Sequence, residues 1–238
     1  MPAYNEERLI ESSLGKIEGI VQKTGYSYEL IVVDDGSLDK TALRAETYAK
    51  KNGHVRVVSY KENEGKGSAV KSGFMHAQSN IVVFVDGDLE IEPEQIGLYV
   101  KALEDADIVI GSKWLSKSEV QMPLLRRVLS HGFNAIVKLL VGIKFCDTQT
   151  GLKAVRKDVL EEVFSRLTVK RYAFDVELLT LANVLGLRIV ELPVRIRLSG
   201  LISFKEIWRM LLDVLGIAYR LRVKKWYHAN AGRAGISL

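Results

Sequence analysis

A run of five apolar, mostly β-branched residues, Ile81 to Val85, leads straight into Asp86-Gly87-Asp88, and no other stretch constrains the fold as much. Such a run suits a strand buried on both faces that delivers two carboxylates at its carboxyl end. Gly87 lets the backbone turn sharply, so Asp86 and Asp88 can face one small volume instead of opposite sides of a strand. Two crowded carboxylates repel each other unless a divalent cation that prefers oxygen, Mg²⁺ or Mn²⁺, neutralises them together with phosphate oxygens. Read alone, the same residues also suit a solvated Asp-Gly turn.

The junction recurs upstream. Tyr28 to Val33 reads as a strand ending in Asp34-Asp35-Gly36-Ser37, ahead of a helix from about Asp39 to Lys51. Val55 to Tyr60 reads as another, followed by Asn63-Glu64-Gly65-Lys66-Gly67 and a helix from Ser68 to about Gln78. Strand, polar loop and helix in alternation predict an α/β domain, a mostly parallel sheet with helices on both faces. Ligands of such sheets bind at the carboxyl ends of the strands. Neither GxGxxG nor GxxxxGK[ST] occurs, which removes the Rossmann fingerprint and the P-loop. Lys66 between two glycines suits a phosphate contact or a solvated loop. Met1 to Glu7 is loop chemistry leading into a helix from Arg8 to Lys23, with Glu6 and Glu7 where the helix dipole favours them. A strand normally feeds such a loop, so the expectation is a recorded start a few residues late or a very short first strand.

Downstream, a helix follows Glu92-Pro93-Glu94, then a strand at Ile108 to Ile110 running into Gly111-Ser112-Lys113-Trp114. On the long helix from about Leu124 to Leu140, Arg126 and Ser130 are one turn apart and offer a cation and a hydroxyl to one anion. An exposed helix with ordinary surface arginines is the alternative. Asp175 and Glu177 sit near the start of a helix, where capping is the simplest role. Arg188 to Ile196 reads as the final strand. Between Phe204 and Tyr227, apolar residues at helical spacing end in Arg220, Arg222, Lys224 and Lys225 beside two aromatics. That pattern suits a membrane surface, or a helix packed on the domain with a solvated basic end. The tail 229–238 is expected to be disordered.

The net charge of +5 favours acidic partners: phosphorylated ligands, an anionic membrane surface or nucleic acid. No recognised nucleic-acid motif carries the basic residues, so nucleic acid is not an expected partner. One cysteine, Cys146, excludes an internal disulfide framework and suits the cytosolic side of a membrane. No stretch approaches the roughly 18 apolar residues of a membrane span.

In order and together, Pro2-Ala3-Tyr4-Asn5-Glu6, Val33-Asp34-Asp35-Gly36-Ser37, Asn63-Glu64-Gly65-Lys66-Gly67 and Asp86-Gly87-Asp88 resemble glycosyltransferase family 2, with its GT-A fold. Asp147-Thr148-Gln149-Thr150-Gly151-Leu152-Lys153 and Phe174-Asp175-Val176-Glu177-Leu178-Leu179 narrow the resemblance to polyprenyl-phosphate sugar transferases, the dolichyl-phosphate β-glucosyltransferases first and the mannosyltransferases next. The likeness runs from Met1 to about Trp226. It implies a GT-A domain over 1–203, with 1–110 serving the nucleotide sugar and 111–203 the acceptor. An amphipathic helix over 204–228 would then lie on the membrane surface, making the protein peripheral on the cytoplasmic face.

The reaction implied is inverting transfer of a hexose from UDP-glucose or GDP-mannose to dolichyl or polyprenyl phosphate. Pro2, Ala3, Tyr4, Glu6, Asp34, Asp35, Lys66, Asp86 and Gly87 would hold the nucleotide sugar, and Asp86, Asp88 and Glu90 the Mg²⁺ or Mn²⁺. Lys113, Arg126 and Ser130 would grip the acceptor phosphate, with Asp88, Asp175 and Arg126 nearest the chemistry. Departures from the family pattern are Glu90 where Gln is frequent, Lys113 where arginine is common, with its bidentate fork lost, and Gly200-Leu201-Ile202-Ser203 in place of Gly-Ser-Lys. Two other readings stay open, a family 2 transferase with a polysaccharide or soluble acceptor and a non-catalytic nucleotide-sugar-binding protein.

Overall fold

The structure, a computed structural model, describes residues 1–198, 200 and 203–229. The expected alternation is present: β1 (Pro2–Ala3), α1 (Ile10–Lys23), β2 (Leu30–Asp34), α2 (Thr41–Ala49), β3 (Val55–Ser59), α3 (Lys66–His76) and β4 (Ile81–Phe84). Then follow α4 (Ile96–Ala102), β5 (Ile108–Ser112), β6 (Glu119–Gln121), α5 (Leu124–Val141), β7 (Lys153–Arg156), α6 (Lys157–Phe164) and α7 (Phe174–Val184). The described chain closes with β8 (Ile189–Pro193), β9 (Arg195–Arg197), α8 (Phe204–Arg222) and α9 (Trp226–Ala229). The strand ahead of the first loop is two residues long and pairs with β2 through Pro2 opposite Val33 and Ala3 opposite Asp34.

Strands β1, β2 and β3 form a parallel sheet. The second sheet has the order β4-β7-β5-β8, with β8 parallel to β5 and β7 antiparallel to both its neighbours. The expected parallel pattern is broken by β7 for a topological reason. The chain enters β7 from the loop 146–152, already at the carboxyl edge of β5, so it can only run back across the sheet. A parallel pair, β6 and β9, completes the set.

Alternating side chains of β5 and β7 build a core on each face, as a period of two requires. Ile108, Ile110 and Val155 join Leu160, Phe164, Phe174 and Leu178 on one side. Val109 and Ala154 join Tyr99, Ile96 and Ile17 on the other. The central strands are covered by helices on both faces. Strand β4 is less buried than its composition suggests, with Ile81 at 37% exposure. It pairs with β7 along one edge, and its other edge borders an apolar cleft of about 480 Å³ shared with Ile31 and Val33.

Helix α8 starts where Ser203 caps it, the side chain accepting from the Lys205 amide at 3.3 Å. Its buried face carries Met210, Val214, Ile217 and Ala218, while Phe204, Trp208, Leu212, Leu215, Tyr219 and Val223 face solvent on and just beyond the helix. The basic end is not wholly outward, as an interfacial segment implies. Arg220 and the fully buried Tyr227 turn in, and both donate to Glu177 of α7. The tail expected to be disordered lies outside the described residues, apart from Ala229 in α9.

Candidate active site

The carboxyl edge of the strands opens into a cleft of about 750 Å³. Every predicted site residue except Asp34 lines it.

The floor on one side is the loop after β1. Its backbone is stitched to the loop after β2: Asn5 N–H donates to Ser37 Oγ at 2.9 Å, Leu38 N–H to Asn5 Oδ1 at 2.9 Å, and Glu6 N–H to Thr41 Oγ1 at 2.7 Å. This presents Tyr4, 42% exposed, and Glu6 to the cleft. Burial, with Asp88 and Asp39 nearby, pushes the Glu6 carboxyl above the usual range.

Adjacent Asp34 and Asp35 separate because successive strand residues face opposite ways. Asp34 is buried away from the cleft, accepting from Ser37 N–H at 3.4 Å through Oδ2, while its Oδ1 has no partner among the described residues. The expected nucleotide contact from Asp34 is therefore not supported by its position. Asp35 reaches the cleft wall and organises it, accepting from the Tyr60 hydroxyl at 2.7 Å, Asn63 Nδ2 at 3.0 Å, and the Glu64 and Gly65 amides at 2.9 Å each. Burial and the Asp35 hydrogen bond push the Tyr60 hydroxyl well above its ordinary range.

Asp86 and Asp88 leave the end of β4 together, with Gly87 packed 3.2 Å from the Pro2 carbonyl by the position of a would-be Cβ. Lys66, at the first turn of α3, places Nζ 2.8 Å from Asp86 Oδ1, 3.0 Å from its Oδ2 and 3.7 Å from Asp175 Oδ2. Burial alone would lower its pKa, yet the Asp86 and Asp175 charges hold it above the ordinary lysine value. Behind it Lys153, 1% exposed, pairs with Asp175 Oδ1 at 2.9 Å and donates to the Thr150 carbonyl. Here burial wins and the ammonium is shifted down. Asp88 carries no ion pair among the described residues; burial and the Asp86 charge push its carboxyl up.

Neither acidic residue of α7 caps the helix. Asp175 faces the cleft between two lysines, and Glu177 accepts from the Thr168 and Val169 amides and the Thr168 hydroxyl as well as from Arg220 and Tyr227.

On the opposite wall, Lys113 Nζ lies 2.6 Å from Asp147 Oδ2. Burial would raise the Asp147 carboxyl, but Lys113 and the Thr150 hydroxyl hold it below the usual range. Arg126 faces Glu90, with Nη1 and Nη2 each 3.3 Å from one carboxylate oxygen, and Nη1 also donates to the Gly200 carbonyl at 2.8 Å. Ser130 lines the cleft beside it. The expected donor-side and acceptor-side groups thus meet in one cavity.

For a divalent cation, Asp86 and Asp88 are suitable hard-oxygen donors, Asp86 being shared with the Lys66 ammonium. No group of three His, Cys, Asp or Glu able to hold a metal occurs among the described residues. Two carboxylates with remaining positions for diphosphate oxygens and water fit the oxygen-rich shells that Mg²⁺ and Mn²⁺ favour.

Arg171, Tyr172 and Arg209 also line the cleft, as do Asn63 and Gln149 from within motifs to which the sequence assigns them no individual role. Nothing local marks the first three, which sit in ordinary loop and helix contexts. Gly151 and Lys153 lay within a motif whose internal roles emerge only from packing: a Cβ on Gly151 would fall 2.0 Å from Asp86 Oδ2.

The family model described as "Glycosyl transferase family 2" matches residues 1–164. Dolichyl-phosphate beta-glucosyltransferase of Drosophila melanogaster is 35% identical over 252 residues, covering 97% of this chain and 76% of the relative. The Homo sapiens protein of the same name is 32% identical, covering 95% and 76%. Among solved structures, glucosyl-3-phosphoglycerate synthase from Mycobacterium tuberculosis in complex with Mn²⁺ and uridine-diphosphate-glucose superposes with a TM-score of 0.69 at 24% identity, over 92% of this chain and 76% of that one. This establishes the GT-A fold, and with the family model and the identity to the relatives it places the motifs of the cleft in their setting: the chain belongs to glycosyltransferase family 2.

Proposed function

We propose that the protein transfers glucose from UDP-glucose to dolichyl or a related polyprenyl phosphate, giving a β-linked lipid-phosphate sugar. The observation that carries this reading is the single cleft in which carboxylates for a metal-bound diphosphate, Asp86 and Asp88, face a phosphate-gripping set, Lys113, Arg126 and Ser130. The names of the relatives supply the sugar and the lipid.

Tyr4, Glu6 and Asp35 flank the nucleotide, Asp35 mainly by holding the loop 63–65 in shape. Asp86 and Asp88 would hold Mg²⁺ or Mn²⁺, which would supply neutralisation of the charge on the departing diphosphate. Lys66, already held by Asp86, lies within the same wall and adds a positive charge there. The acceptor is a phosphate monoester, ionised at neutral pH, so no strong base is required. The protein's task is to hold that anion in line with the anomeric carbon. Arg126 and Ser130 project from one face of α5 for this purpose, and Lys113 strengthens the field from beneath, where Asp147 fixes it. Attack opposite the nucleotide inverts the anomeric centre, turning an α-linked donor into a β-linked product. Asp175 orients Lys66 and borders the sugar space.

The lipid fits a peripheral position on the cytoplasmic face of a membrane. No helix among the described residues is long and apolar enough to cross one. On α8, Phe204, Trp208, Leu212, Leu215 and Tyr219 form an exposed apolar stripe, and α5, packed against it, exposes Leu124, Leu125, Val128 and Leu139. Both helices also line the cleft, through Ser130 and Arg209. An apolar surface beside the acceptor phosphate site lets the chain of the lipid stay in the bilayer while its head enters the cleft.

The test is transfer of radiolabelled sugar from UDP-glucose and GDP-mannose to a short polyprenyl phosphate with Mn²⁺ or Mg²⁺. Label passing from UDP-glucose to lipid, and abolished by Asp88→Ala, is the expected result; a folded protein that transfers from neither donor refutes the reading. Trp208→Ser is expected to reduce co-sedimentation with anionic vesicles, and unchanged sedimentation would argue against the membrane surface.

A further inference from the structure

Glu90 and Arg126 are 36 residues apart in sequence and come from different elements, yet they meet end to end. Glu90 is fixed before its side chain is considered. Its amide donates to Asp88 Oδ1 at 3.1 Å, and its carbonyl accepts from the Arg197 amide at 2.8 Å, strapping the residue to β9. The carboxylate takes one hydrogen from each terminal nitrogen of Arg126, and the Gly200 carbonyl takes another from Nη1. Among the described residues, the Nε hydrogen and the second Nη2 hydrogen have no acceptor. These two lie on one edge of the planar guanidinium, the arrangement that binds a phosphate through two parallel hydrogen bonds.

We propose that Glu90 acts as the positioning residue of Arg126, turning the Nε–Nη2 edge of the guanidinium toward the acceptor phosphate, rather than as a third ligand of the metal. The assignment rests on the acceptor reading given above. Both carboxylate oxygens are directed at the guanidinium, and the two are largely withdrawn from solvent, with side-chain exposures of 26% and 15%. A glutamine here would offer one oxygen and an NH₂ group facing donors, so it could not hold both terminal nitrogens. The carboxylate therefore matches the task better than the amide, and it balances the arginine's charge while no acceptor is present.

The experiment measures transfer to a short, detergent-soluble polyprenyl phosphate for the wild type, Glu90→Ala, Glu90→Gln, Arg126→Ala and the Glu90→Ala/Arg126→Ala pair. Donor and acceptor are varied separately, and Mn²⁺ affinity is read by electron paramagnetic resonance in the presence of UDP. Glu90→Ala is expected to raise the acceptor KM about tenfold, as loss of oriented charge-assisted hydrogen bonds does. Donor KM and Mn²⁺ affinity are expected to stay within about twofold, and Glu90→Gln to recover roughly a third of the loss, since one acceptor oxygen remains. Adding Glu90→Ala to Arg126→Ala should raise the acceptor KM no further. Weakened Mn²⁺ binding with an unchanged acceptor KM, or additive losses in the pair, would overturn the assignment. If Glu90→Ala does not fold, the isosteric Glu90→Gln carries the same comparison. A wild type that binds donor but transfers nothing to polyprenyl phosphate would remove the acceptor reading itself, and that failure shows before any variant is made.

Discussion

Gly151→Ala is the sharpest local perturbation the structure offers. Gly151 lies just before β7, and an added Cβ would come 2.0 Å from Asp86 Oδ2 and 2.7 Å from its Cγ. Ordinary contact begins near 3.4 Å, so the carboxylate oxygen has to retreat by about 1.4 Å. The obstacle is the end of a side chain, so a rotation of Asp86 relieves it at a cost of about 1 kcal/mol, and the fold should survive. The rotation is not free for function, because the same oxygens hold Lys66 at 2.8 and 3.0 Å and face the position proposed for the metal. Misplacement of a catalytic group by about 1 Å costs roughly 100-fold in rate. The expected outcome is a melting temperature within a few degrees of wild type, Mn²⁺–UDP binding weakened about tenfold or more, and turnover down by about two orders of magnitude. A Gly151→Ala protein with wild-type metal affinity and turnover would refute the claim that Asp86 is held in place by the missing side chain at 151.

Lys153→Met leaves Asp175, among the described residues, with only the longer Lys66 contact at 3.7 Å, and a loss of about 3 kcal/mol in urea unfolding is expected, the low end for breaking a buried pair; a loss below about 1 kcal/mol would contradict it. Tyr227→Phe removes one donor from the fully buried Glu177, which keeps its Thr168, Val169 and Arg220 partners, so the expected cost is about 1–2 kcal/mol in the same assay. Asp147→Asn tests pH linkage: because Lys113 and Thr150 hold the Asp147 carboxyl below its ordinary 3.8, its contribution is complete above that pH and is lost as pH falls through the lowered value. The stability gap between wild type and Asp147→Asn should therefore be largest near neutrality and shrink below about pH 4, and a gap independent of pH would exclude the mechanism.

What the sequence made legible was local. Asp86, Gly87 and Asp88 are consecutive, so a strand ending on them has to present its carboxylates at the sheet edge, and it does. Arg126 and Ser130 needed only the period of a helix. Asp34 and Asp35 mark the limit of such reasoning. Both end the same strand, but the phase of the pleat, which sends one inward and the other to the cleft, is set by packing against β1 and β3. The antiparallel course of β7 and the contacts Glu90 to Arg126 and Glu177 to Tyr227, 36 and 50 residues apart, depend on how distant elements dock. No periodicity encodes them. Glu177 shows the cost: a carboxylate at a helix start reads as a cap, while its real partners arrive from the loop before α7 and from the far end of the described chain.

The charges around the cleft are matched in pairs, and the exceptions point to what binds. Asp86 has Lys66, Asp147 has Lys113, Glu90 has Arg126, and Asp175 has Lys153. Arg209 is paired with Glu206 at 2.8 Å. Among the described residues, four charged groups line the cleft without an ion pair: Asp35, which is taken up by hydrogen bonds from Tyr60, Asn63, Glu64 and Gly65, Glu6 and Asp88 on the donor side, and Arg171 on the wall above Gly65. An unmatched carboxylate in a crowded acidic corner favours a divalent cation, and an unmatched guanidinium favours the anion that arrives with it or opposite it. Arg171 packs its Cγ against the tight turn at Gly65, which carries the Asn63–Gly67 loop, so its head group is anchored at the stem. Arg171→Ala is then expected to raise the KM of one anionic substrate about fivefold, the worth of one exposed charge-assisted contact, with stability little changed because the head group holds no carboxylate. Which KM rises tells which phosphate Arg171 meets. Neither KM moving, and no loss of their dependence on salt, would mean that the unmatched charge is solvated surface and that the pairing argument ends with Asp88.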